Sequence, residues 1–137
     1  MQLGEQRADR PRRVVHRVKN KDPDFRDTVG RSVTLPVDWW ERIEAVAKAR
    51  ETDDYSARIQ LVCSSLDEAG FPPTPPKAEI EGEKRTSTVL LAARRWEQLS
   101  KESDARGLSL NKVFQSHLFR ALVDEEAEIA AERKTKR

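Results

Sequence analysis

A short strand-to-helix pattern occurs twice in this chain, and neither copy holds enough strand to stand alone. The first copy runs Gly30-Arg-Ser-Val-Thr-Leu-Pro-Val-Asp-Trp-Trp-Glu-Arg-Ile43, and the second Thr86-Ser-Thr-Val-Leu-Leu-Ala-Ala-Arg-Arg-Trp-Glu-Gln-Leu99. An offset of 56 positions sets Trp40 on Trp96, Glu41 on Glu97, Ile43 on Leu99, Leu35 on Leu91 and Val33 on Val89. A lone five-residue strand cannot satisfy its backbone donors and acceptors, and an isolated two-stranded hairpin is marginal. The two copies are therefore expected to complete each other.

Only 36% of the 137 residues are apolar and another 36% are charged. That is too polar for every residue to join a core, so disordered ends are expected. No apolar run approaches the ~18 residues of a membrane span, and the N-terminus lacks a signal-peptide apolar stretch. The single Cys63 rules out an internal disulfide and points to a reducing, cytoplasmic setting. One cysteine and two distant histidines, His16 and His117, give no metal-ligand spacing, so no metal or other cofactor is expected.

Net charge is only +2, but its distribution is uneven. Residues 1–21 carry seven Lys/Arg (Arg7, Arg10, Arg12, Arg13, Arg17, Lys19, Lys21) against Glu5 and Asp9. Such a block reads as a solvated basic arm whose commonest partner is a polyanion, with a solubilising tail as the alternative.

Along the chain, 1–28 has no periodicity and is expected to be a disordered arm. Residues 29–70 form the first strand–helix–helix copy. Within it, Arg31, Val33 and Leu35 alternate with Ser32 and Thr34, the period of a half-buried strand. Pro36 suits the first turn of a helix that runs to about Arg50, with Trp40, Ile43, Val46 and Ala47 on one face. Asp53 and Asp54 cap a second helix carrying Tyr55, Ile59, Val62, Cys63 and Leu66 inward, with Gly70 as its stop. Residues 71–84 hold four of the seven prolines and read as a stiff, extended linker.

Residues 85–123 repeat the order. A strand over 86–91 leads to a helix over 93–106 with Trp96, Leu99 and Ala105 inward. Gly107 breaks it, and Ser109 caps a helix carrying Leu110, Val113, Phe114, Leu118, Ala121 and Leu122. The charged tail 124–137 extends that helix or frays from it.

The expected fold is mainly α, with a short two-stranded antiparallel ribbon over four helices. One ribbon face, Val33, Leu35, Val89 and Leu91, would cap a core of Trp40, Ile43, Ile59, Val62, Trp96, Leu99, Phe114 and Leu118. The other face, Ser32 and Thr34 with Thr86 and Thr88, would stay polar and exposed. A ribbon of that width can enter the DNA major groove, although Ser and Thr are equally ordinary on a solvent face.

The strand ending in Leu35-Pro36, the helix after it, and the Gly107-Leu-Ser-Leu-Asn111 turn into a second helix resemble the ribbon-helix-helix DNA-binding proteins. The resemblance covers about residues 30–70 and 84–123. It is similar to single-chain tandem members of that family, some of them accessory factors in plasmid DNA transfer. It implies two fused motifs forming a pseudo-dimer on double-stranded DNA, with three alternating strand residues per copy reading bases. Carried onto this chain, it implies two such residues in the first copy, Ser32 and Thr34, and three in the second, Thr86, Thr88 and Leu90. Leu90 departs from the polar pattern and suits a thymine methyl. A register slip that buries Leu90 and exposes Leu91 is the alternative.

The resemblance also implies phosphate contacts at the start of the second helix, here Ser109, Leu110 and Asn111. Arg31 is nominally inward and is expected to curl out to phosphate. Lys84 and Arg85, just before the second strand, are natural backbone contacts, as are Arg12 and Arg13 of the arm. The copies are unequal, because carboxylates at Asp53 and Asp54, with Asp54 as the cap, repel the phosphate that Ser109 would attract. A tighter grip by the second copy is expected.

The function so implied is non-enzymatic: a transcriptional repressor, or an accessory factor in plasmid transfer or partition, working within a nucleoprotein complex. An antitoxin-like or other protein-interaction helical module is the alternative, although the tail offers only Ile129 as a sizeable apolar anchor. Asp53/Asp54 and Glu125/Glu126 read as a cap and a solvated helix face, and His117 as a structural core histidine. A linker of this length gives an effective concentration of order mM, which favours a monomeric pseudo-dimer over a cooperative or domain-swapped homodimer.

Overall fold

Alternation of apolar and polar residues is realised as two nine-residue strands, β1 (Thr28–Pro36) and β2 (Lys84–Ala92), in a computed structural model that describes residues 14–17 and 22–135. They pair antiparallel, with Ser32 opposite Thr88, Thr34 opposite Thr86 and Gly30 opposite Leu90. Both strands extend beyond the five or six residues expected, because each supplies the other's backbone partners. Val33, Leu35, Val89 and Leu91 point to the core and are almost fully buried.

The register carries the repeat into three dimensions. The 56-residue offset moves Ser32 onto Thr88, and these two are paired with each other. The same offset exchanges the Gly30–Leu90 pair with the Thr34–Thr86 pair, so a pseudo-twofold axis passes through the middle of the ribbon. The two tryptophans follow it. Trp40 Nε1 donates to Arg85 O at 2.9 Å, and Trp96 Nε1 donates to Val29 O at 2.7 Å. Each indole thus holds the strand of the opposite copy.

Behind the ribbon lie α1 (Val37–Ala49), α2 (Asp54–Leu66), a single helical turn α3 (Lys77–Ile80), α4 (Ala93–Arg106) and α5 (Leu110–Thr135). Pro36 ends β1 and precedes the first turn of α1 rather than occupying it, while the Val37 N–H donates to Glu83 O. Gly107 closes α4 with φ of 66°, a left-handed conformation that glycine adopts without strain. Ile43, Val46, Ile59, Val62, Leu99, Phe114, Leu118 and Leu122 meet in one core.

Several expectations are corrected. Tyr55 and Ala105 are exposed, because α2 and α4 turn those positions away from the core. Trp39 is fully buried, stacked on Phe119 with centroids 5.2 Å apart, and its Nε1 donates to Glu79 O. The proline-rich segment is therefore no free spacer: α3 is clamped to Trp39, and Pro72 and Pro75 are buried.

The described part of the expected N-terminal arm is also docked. Val15 is buried, His16 exchanges two backbone hydrogen bonds with the Gln60 amide, and Pro23–Phe25 forms a 3-10 turn. Residues 124–135 continue α5 without fraying. Glu125 is no solvated acid: it is buried against Arg50 at 2.8 Å, while Glu126 binds Arg42 and Glu132 binds Arg50. Arg42 on α1 and Arg50 at its C-cap supply the counter-charges that the tail's own sequence does not show.

Candidate nucleic-acid interface

On the ribbon face away from the core, three cross-strand pairs lie in a row: Gly30–Leu90, Ser32–Thr88 and Thr34–Thr86. Strands in such a pair are ~4.8 Å apart, so the row forms a narrow ridge. At one end the Thr34 and Thr86 hydroxyls are 2.7 Å from each other. One donates to the other, which leaves the second proton and the remaining lone pairs facing outward. At the other end Leu90 folds over Gly30. A Cβ at residue 30 would lie 3.2 Å from Leu90 Cδ2 and 3.0 Å from Thr88 Cγ2, so glycine leaves the space that Leu90 uses. Leu91 is fully buried and Leu90 only partly, the arrangement that aligns the two tryptophans.

The start of α5 lies along the outer edge of β1. Asn111 Oδ1 accepts from the Thr34 N–H at 2.9 Å, and Asn111 Nδ2 donates to Thr34 O at 3.1 Å. Gln115 Nε2 reaches the same carbonyl at 3.3 Å. The Asn111 side chain is thus committed to holding Thr34, which leaves only its backbone N–H for the phosphate contact expected of this residue. Ser109 caps α5, its Oγ accepting from the Lys112 N–H. That leaves the Leu110 and Asn111 N–H groups at the helix start, where no intrahelical acceptor exists. Arg31 lies with its guanidinium carbon 5.7 Å from the centre of the Trp96 ring, exposed and beside this helix start. Between them is a cleft of about 300 Å³ lined by Arg31, Ser32, Trp96 and Asn111.

The matching edge of β2 is built differently. The offset sets Phe114 on Arg58, so the ring that stacks on Trp96 is replaced by a guanidinium 4.4 Å from the centre of Trp40 and 4.5 Å from that of Tyr55. Arg58 Nη1 donates to Thr88 O at 2.9 Å, while Nε has no hydrogen-bond partner among the described residues. The residue that caps α2 is Asp53, not Asp54 as the sequence suggested, and the offset sets Ser109 on Asp53. Asp54 is the first residue of α2 and approaches Arg58 at 3.4 Å. Of the remaining expected contacts, Lys84 and Arg85 are exposed at the ribbon end, and Arg12 and Arg13 lie outside the described residues.

Buried polar groups elsewhere serve to join helices. His117 Nδ1 is 2.7 Å from Ser65 Oγ, and its Nε2 is 2.6 Å from Glu102 Oε1. The Glu102 carboxylate can only accept, so the neutral imidazole donates from Nε2 to it and accepts the Ser65 hydroxyl proton at Nδ1, while Arg120 Nε donates to Ser65 Oγ. Burial holds the His117 pKa below its ordinary value, against the opposing pull of Glu102. All three groups are inaccessible to a substrate. Arg95 bridges Asp24 and Asp67, holding the Pro23–Phe25 turn before β1 much as Trp39 holds α3 before β2. Burial pushes the neighbouring Cys63 thiol up to about 12, which keeps it protonated and unreactive.

Sequence reasoning missed Arg58, Gln115 and the bracing role of Asn111. The signal for Arg58 was present, since the repeat offset sets a cation where the second copy has a core aromatic. Asn111 and Gln115 left none, because their partners are backbone atoms of Thr34. No protein-family model, curated protein or solved structure matches this chain.

Proposed function

We propose that this chain is a cytoplasmic, sequence-selective double-stranded DNA-binding protein made of two fused ribbon-helix-helix motifs, with its β-ribbon inserted in the major groove. The observation that carries the reading is the register. A pseudo-twofold through Ser32–Thr88 sets three residue pairs of an otherwise short sheet on the face turned from the core. A groove ~12 Å wide accepts such a ridge, and hydroxyls there can donate to or accept from base edges. In this reading Ser32, Thr34, Thr86, Thr88 and Leu90 read bases. Arg31, Lys84, Arg85 and the backbone N–H groups of Leu110 and Asn111, with Ser109 beside them, hold phosphates. The chemistry is non-enzymatic and suits repression of transcription or an accessory role in plasmid transfer or partition.

The test is a binding selection on sheared genomic duplex, followed by titration of the recovered fragments at several salt concentrations. A recurrent sequence is expected, with affinity falling steeply with salt: four to six phosphate contacts give a slope of about −4 to −5 in log K against log salt. Retention of no duplex, or of all fragments alike, would contradict the proposal.

A further inference from the structure

The two ends of the ribbon differ in chemistry, and so do the surfaces beside them. At one end Thr34 and Thr86 present hydroxyls, and at the other Leu90 presents methyl groups over Gly30. The four flanking positions related by the repeat offset diverge in the same sense. Arg85 corresponds to Val29, Ser109 to Asp53, Leu110 to Asp54 and Lys112 to Ser56. The hydroxyl end, which Asn111 ties to α5, therefore carries two exposed cations and no acid at these positions. The Leu90 end, beside α2, carries Arg31, paired with Val89, and two carboxylates, one of them engaged by the buried Arg58. A duplex is uniformly anionic along both strands, so it gains more attraction at the first end than at the second.

We infer that the DNA this ribbon takes is non-palindromic and is bound in one fixed orientation. The half-site under Thr34 and Thr86 offers hydrogen-bonding base edges and tightly held phosphates, and the half-site under Leu90 offers a thymine methyl and loosely held phosphates. The inference rests on the DNA-binding reading above. Leu90 can make no hydrogen bond, so a polar edge buried beneath it loses its partner, whereas a thymine methyl does not. The glycine opposite makes this end a built feature, because a larger residue at position 30 would crowd Leu90.

The experiment is selection of bound duplexes from a fully random 20-base-pair library, with phosphate-ethylation interference on the consensus. The wild-type chain is expected to give a consensus without twofold symmetry, with a thymine near one end. Ethylation should interfere mainly on the half lacking that thymine. Leu90→Thr, at a partly exposed position, should reduce the thymine preference about five- to tenfold and leave the other half unchanged. Asp53→Ser combined with Ser56→Lys should add interference on the weak half and steepen the salt slope by about 0.9 per phosphate gained. A palindromic consensus, or a thymine preference untouched by Leu90→Thr, overturns the inference while the DNA reading stands. Recovery of no consensus at all overturns both.

Discussion

Replacing Glu125 with Ala should cost about 3 kcal/mol of stability, although the residue lies in a stretch whose sequence reads as a solvated tail. Arg50 and Glu125 side chains are 2% and 1% exposed, with Arg50 Nε to Glu125 Oε2 at 2.8 Å. Removing the carboxylate leaves a guanidinium buried between α1 and α5, and Arg50 Nη2 already has no hydrogen-bond partner among the described residues. Breaking one side of a buried pair costs about 3–5 kcal/mol, and the retained contact to Glu132 at 2.7 Å argues for the lower end. The 3.4 Å bond from the Val15 N–H would be lost as well. Urea unfolding at pH 7 reads the effect: with a slope of about 2 kcal/mol/M, the midpoint should fall by about 1.5 M. Replacing both partners, Arg50→Met with Glu125→Leu, should recover most of that loss, because no charge is then stranded. A single variant within about 0.5 kcal/mol of wild type would refute the docking of the tail. A double variant as unstable as the single would show that the stranded charge is not the cause.

The buried histidine, the Asn111 brace and the intramolecular ribbon each lead to a measurable outcome. Because burial lowers the His117 pKa, the unfolded chain takes up its proton first as pH falls below about 6.5. The stability linked to His117 should be full above that pH and decline below it. The wild type should accordingly lose more stability than His117→Gln between pH 7.5 and 5.5, and a gain on acidification would reverse the sign argued here. Asn111→Ala removes both bonds to the Thr34 backbone and should cost about 1–2 kcal/mol, with faster hydrogen exchange at the Thr34 amide as the specific readout. Unchanged Thr34 protection would dismiss the brace. Since both strands come from one chain, sedimentation at micromolar concentration should give a 15.7 kDa species, and a doubled mass would favour strand exchange between chains.

Much of the fold was legible because the repeat removes ambiguities that a single copy leaves. Two consecutive leucines cannot fix a strand's register by alternation, yet aligning Trp40 with Trp96 makes Leu91 the counterpart of Leu35 and sets it inward, and both are buried. What escaped depends on partners distant in sequence. Trp39 lies beside the periodic Trp40 and is buried only because α3 and Phe119 cover it. Arg95 is buried because Asp24 and Asp67 neutralise it from two other segments. The docking of residues 14–17 joins the buried Val15 side chain to backbone bonds with Gln60 and Glu125, and so short an apolar pair sets up no period to read. The candidate site divides in the same way. Its outward row follows from period two, whereas the bracing of Thr34 by Asn111 and of Thr88 by Arg58 requires the folded edges.

Base reading by the outward ribbon face stands or falls on footprinting of a selected duplex with Thr34→Ala and Thr88→Ala. Both side chains lie on the face turned from the core, so their truncation spares the packing behind them. Each change should relax discrimination at its own base pair by about 1–3 kcal/mol while leaving the salt slope unchanged, because phosphate contacts are untouched. Sequence preference that survives both substitutions would mean that the ribbon does not read the bases.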